Sequence, residues 1–117
     1  MLSSKNDFFD NLQNEIEREK FSALRRISEN LSGCLKELEA MNDRINEAIR
    51  KNLPRQEINK MIIAFNRIRG DAEEWRYYFI VTLEASGFFH SGLNASVYKI
   101  PPRKAILTGT KNPVNTE

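Results

Sequence analysis

The chain has one cysteine and one histidine in 117 residues, with five glycines and four prolines. Cys34 alone excludes an internal disulfide framework, and a lone thiol fits a reducing compartment. With His90 it leaves too few soft ligands for zinc, so no metal or cofactor is expected. So few turn residues argue against a β-sandwich or barrel. Long apolar runs are also missing. The longest, five residues as at Tyr77 to Val81, fall far short of the roughly 20 residues of a membrane span, and no membrane partner is expected. The first ten residues hold no apolar core of about 7 to 15 residues, so a secretory signal is not expected, and Asn30-Leu31-Ser32 and Asn94-Ala95-Ser96 are read as chance glycosylation matches. Neither sign of charge dominates: 18 basic against 16 acidic residues give +2, too little to argue nucleic-acid binding.

Signatures of chemistry are absent as well. No phosphate-binding GxxxxGKS/T, dinucleotide-binding GxGxxG, zinc-binding HExxH, GxSxG nucleophile elbow or redox CxxC occurs. Neighbouring carboxylates do occur at Glu73-Glu74 and at Glu37 and Glu39. Adjacent helical residues point about 100° apart, and Arg and Lys surround these pairs, so they read as a solvated, ion-paired face rather than a catalytic dyad. No enzyme is expected.

What remains, 40% hydrophobic and 29% charged residues, suits long amphipathic helices. Leu24, Ile27, Leu31, Cys34, Leu38, Met41, Ile45 and Ala48 alternate spacings of three and four, a heptad seam. Leu35 and Ile49 widen it, beyond what one facing helix covers. Phe9, Leu12 and Ile16 continue the face upstream, but Lys20 holds the next position, which reads as a slip in winding. Leu53-Pro54 breaks the pattern, since Pro disfavours helix at the residue before it and suits the first turn of a new one. A second seam follows at Ile58, Met61, Phe65, Ile68, Ala72, Trp75, Phe79 and Thr82, ending before Gly87.

The expected fold is therefore all-α. An antiparallel coiled-coil hairpin occupies residues 4–85, with helix one about 4–51 and helix two about 54–85, followed by an extended, partly disordered basic tail over 86–117. Within the tail, Val97-Tyr98-Lys99-Ile100 suits either a short strand or docking in extended form. The helices would measure roughly 70 and 48 Å at 1.5 Å per residue, which leaves Phe8, Phe9, Leu12 and Ile16 facing no helix. Either the Phe88-Phe89 region or another chain must cover them. The expected interface set is Leu24, Ile27, Leu31, Leu35, Leu38, Ile45, Ile58, Met61, Phe65, Ile68, Trp75 and Phe79. Aromatics crowd between Trp75 and Phe89 and add to it. The partners expected are other helical subunits of a hetero-oligomer. Segment by segment, the two helices are nearly neutral and the tail carries four basic residues against one acidic, Lys99, Arg103, Lys104 and Lys111 against Glu117. Arg25-Arg26-Ile27-Ser28 also fits a basophilic-kinase pattern, although a mid-helix Ser28 requires local unwinding.

Taken together, these residues resemble the small second Dad subunit of the fungal DASH (Dam) kinetochore complex. Ile16, Lys20, Leu24 and Ile27, then Leu31, Leu35, Leu38 and Ile45, are similar to that family's first helix. Met61, Ile62, Phe65 and Ile68 are similar to its second, with Phe65 where the family has Trp. Tyr98-Lys99-Ile100-Pro101 resembles its closing Val-Arg-Ile-Pro stretch. The aromatic extension from Trp75 to Phe79 departs from the pattern. The resemblance implies a structural subunit of a heterodecamer that clasps spindle microtubules and couples them to kinetochores in the nucleus. On the residues alone, two other classes stay open: a coiled-coil adaptor of a trafficking or transcription complex, and a small nucleic-acid-binding module using the basic tail.

Overall fold

The structure, a computed structural model, describes residues 2–87 and 95–108, with side chains from Asp7 to Gly87 and from Ser96 onward. Two helices, α1 (Leu2–Arg50) and α2 (Arg55–Ser86), pack against each other as a hairpin, and no strand occurs among the described residues. The boundaries lie within two residues of those the spacing predicts. A short 3-10 helix, Ala95–Val97, precedes extended chain to Thr108. Gly109 to Glu117, expected to be disordered, lie outside the described residues.

The turn is built from backbone hydrogen bonds. Asn52 takes the left-handed conformation at φ 56°, its N–H donates to the Ile49 carbonyl, and the Leu53 N–H donates to the Ala48 carbonyl, each at 3.0 Å. This is the Schellman ending of a helix, with Asn replacing the usual Gly because its short polar side chain tolerates positive φ. The Pro54 carbonyl then accepts from the N–H groups of Glu57 and Ile58, so Pro54 stands just ahead of α2, where its lack of an N–H costs no helical bond. At the far end Gly87, φ 81°, closes α2, and its N–H reaches the Glu84 carbonyl at 3.4 Å.

The chain forms two compact units. One joins Met1–Ser32 to Glu74–Lys99. Its core is Leu24, Phe79 and Leu83, with Ile27, Ile80 and Tyr98 packed against them, and Leu31 is fully buried. The other joins Gly33–Glu73 to Ile100–Glu117. Leu38, Ile45 and Ala48 of α1 and Ile58, Ile62, Phe65 and Ala72 of α2 are buried there.

One expectation changes in part. Of the α2 seam, Ile58, Phe65, Ala72 and Phe79 are buried as expected, but its other ridge lies one residue further along: Ile62 and Leu83 are buried, while Met61, Ile68, Trp75 and Thr82 are half-buried. The ridge through Ile62 and Leu83 passes through Arg69 and Arg76, so counting apolar residues alone picks the neighbouring ridge. The slip expected at Lys20 falls where α2 ends. α1 runs on uninterrupted, and the Lys20 ammonium lies 3.5 Å from the Ser86 carbonyl at the C-terminal end of α2. A cation is favoured there by the helix dipole. Upstream of Lys20 the apolar residues Phe9, Leu12 and Ile16 are exposed rather than buried.

Candidate functional site

The predicted interface residues fall into two groups. Leu24, Leu31, Leu38, Ile45, Ile58, Phe65 and Phe79 are buried inside the chain, whereas Ile27, Leu35, Met61, Ile68 and Trp75 are half-buried. Leu31 at 0% and Leu38 at 1% exposure leave no surface for another molecule, whereas Leu35, which widens the stripe, is half-buried and Ile49 is exposed. What argues for a partner lies upstream. Phe8, Phe9, Leu12 and Ile16 are 61%, 55%, 48% and 40% exposed on regular helix. Phe8 and Phe9 stack edge to face at 5.5 Å, so they form an apolar patch rather than scattered side chains. Phe88 and Phe89, expected as one possible cover, lie outside the described residues, as does His90. Tyr77, Tyr78 and Val81 form a second exposed apolar set on α2, with Trp75 meeting Tyr78 edge to face at 5.7 Å.

The C-terminal segment docks in extended form. In the first unit Tyr98 is its anchor. Its ring meets Phe79 edge to face at 5.3 Å, its hydroxyl shares a hydrogen bond with the Ser28 hydroxyl, and its carbonyl accepts from Arg76 Nε at 3.0 Å. Ser28 is thus half-buried and engaged, within unbroken helix.

In the second unit, polar side chains of α2 hold the main chain of residues 101–107. Asn66 Nδ2 donates to the Lys104 carbonyl at 2.9 Å, and Asn66 Oδ1 accepts from the Lys104 N–H at 3.0 Å. Asn59 repeats this double bond on Leu107 at 2.8 and 2.7 Å. Arg69, whose side chain is largely buried, donates from Nε to the Pro101 carbonyl at 2.7 Å and pairs through Nη1 with Glu73 at 3.1 Å. The Lys104 ammonium sits 4.9 Å from the centre of the Phe65 ring, a cation–π contact. Reading for apolar seams misses Asn59, Asn66, Arg69 and Arg76. Their signal is a polar heptad, Asn59 to Asn66 and Arg69 to Arg76 each seven apart, in a helix where Asn is a poor former and needs another reason to be present.

Lys104 is therefore drawn onto the protein, which leaves Lys99 and Arg103 as the exposed cations of the described tail. Lys111 lies outside the described residues. Cys34 is half-buried. Burial raises its thiol pKa above the ordinary value, and the nearby Asp71 and Glu37 carboxylates add to the shift, so the nucleophilic thiolate is disfavoured. Glu73 serves as the ion-pair partner of Arg69. Among the described residues no group of three or more His, Cys, Asp or Glu side chains converges on a metal-sized site, and no helix is long and apolar enough to cross a membrane. Comparison with protein-family models, curated proteins and solved structures returned no match.

Proposed function

We propose that the chain is a non-enzymatic structural subunit of a multi-subunit helical complex, with the N-terminal part of α1 as its docking surface. The observation that supports this is the patch of Phe8, Phe9, Leu12 and Ile16, exposed on regular helix beyond the point where Lys20 meets the end of α2. Helical spacing places Phe9, Leu12 and Ile16 on one side, the arrangement another helix needs for side-by-side packing.

The resemblance at Ile16, Lys20, Leu24 and Ile27, at Met61, Ile62, Phe65 and Ile68, and at Tyr98-Lys99-Ile100-Pro101 supports a finer reading. In it the complex is the DASH/Dam assembly that couples kinetochores to spindle microtubules during chromosome segregation in the nucleus, with microtubules reached through the assembled complex. Co-expression with the other subunits of that assembly tests it. The expected result is a stoichiometric complex that Phe9→Ser/Leu12→Ser abolishes. A folded monomer that captures none of them overturns the finer reading. Purifying the tagged chain from its own cells and identifying what accompanies it separates this from an adaptor role in trafficking or transcription.

A further inference from the structure

The bonds that hold residues 101–107 on α2 are made to backbone atoms. Seven helical residues advance roughly 10.5 Å, and three extended residues advance roughly 10 Å. The step from Asn59 to Asn66 therefore matches the step from Leu107 back to Lys104, and each carboxamide bonds both the N–H and the carbonyl of a single residue. Such a clamp discriminates direction, extension and register. Side-chain recognition enters at Lys104, through its ammonium over Phe65.

We propose that the α2 face formed by Asn59, Phe65, Asn66 and Arg69 is a receptor for an extended peptide with a basic residue at the Asn66 position, and that residues 101–107 of a second copy can occupy it in place of the chain's own. A site that reads backbone does not distinguish which copy supplies the strap, and the segment known to fit is one every copy carries. Covalent connection favours the chain's own strap, through an effective concentration on the order of millimolar. Disabling that strap removes the advantage. Exchange of an identical element between copies is a low-cost route to a dimer because no new contact has to be invented.

Two full-length variants test this by complementation. Lys104→Pro/Leu107→Pro removes the two N–H donors from the strap and leaves the α2 face intact. Asn59→Ala/Asn66→Ala removes the clamp and leaves the strap intact, with Ala favouring the helix. Each alone should sediment as a monomer. Mixed, they should form a one-to-one heterodimer, associating at least about ten times more tightly than the wild-type chain with itself. Amide exchange reports the site: the Lys104 and Leu107 N–H groups are protected in wild type, exposed in the Asn variant alone, and protected again in the mixture. If circular dichroism shows helix loss in the Asn variant, Asn59→Gln/Asn66→Gln, which displaces the amides by one methylene, replaces it. Two monomers in the mixture up to about 1 mM, or a heterodimer without renewed protection at Lys104 and Leu107, overturns the proposal.

Discussion

Leu38 is an expected interface residue whose role changes once its surroundings are known. At 1% exposure it packs inside the hairpin, so Leu38→Ala should cost about 2 to 5 kcal/mol from lost burial and the cavity left behind. A urea titration reads this as a lower midpoint at unchanged slope. Leu38→Asp should unfold the chain outright by burying an unpaired charge, so a loss of partner binding in that variant reports on folding. Cys34 makes a second prediction at this scale. Its thiol pKa is raised in the folded state, first by burial and then by Asp71 and Glu37. Near neutral pH the thiol is protonated whether folded or unfolded, and it contributes nothing to the pH dependence. As pH rises through the unfolded value, the unfolded chain loses its proton first, and stability falls. Alkylation at pH 8 should therefore be slower in the folded chain than in urea, and Cys34→Ala should flatten the alkaline decline in stability.

The glycines separate the two helices from their ends. Gly70 is exposed inside α2, and a Cβ built there meets no atom within 4 Å, so Gly70→Ala should raise stability by about 0.5 to 1 kcal/mol. Gly87 has the same open space but a φ of 81°, and Gly87→Ala should lower stability by about 1 kcal/mol. Thermal melts of the two variants should move in opposite directions. Asn52, the one non-glycine residue with positive φ among those described, should accept Gly readily and Val poorly, because a branched Cβ is strained in the left-handed conformation. A helix here is thus specified twice, by the heptad along its length and by backbone conformation at its ends.

For the whole molecule, folding and assembly should prove separable. Phe9→Ser/Leu12→Ser/Ile16→Ser changes side chains that are about half exposed, and the unfolding free energy should stay within about 0.5 kcal/mol per site of wild type. Capture of helical partner subunits should be lost. A variant that instead destabilises the hairpin to the extent of Leu38→Ala would place these residues in the fold rather than on its docking surface.

The hairpin was legible in the sequence because its signals are local and periodic. Apolar residues at Leu24, Leu31, Leu38 and Ile45 repeat with the helix, and Leu53-Pro54 and Gly87 end helices through constraints that act on one or two residues. The exposed face at Phe9, Leu12 and Ile16 followed from the unequal lengths of the two helices. The register of α2 was less legible, since Arg69 and Arg76 stand on the buried ridge and an apolar count passes over them. That the tail could dock in extended form was legible at Val97 to Ile100, but where it docks was not. Every residue carries a backbone N–H or carbonyl, so nothing in the letters marks Lys104 and Leu107 as the groups Asn66 and Asn59 hold. By itself the sequence determined two amphipathic helices, their turn and the stretch left uncovered, because water drives periodic apolar faces together whatever else surrounds them. Only the tertiary structure decided where the extended segment lies, because its bonds form between backbone and side-chain groups far apart in the chain that folding alone brings into register.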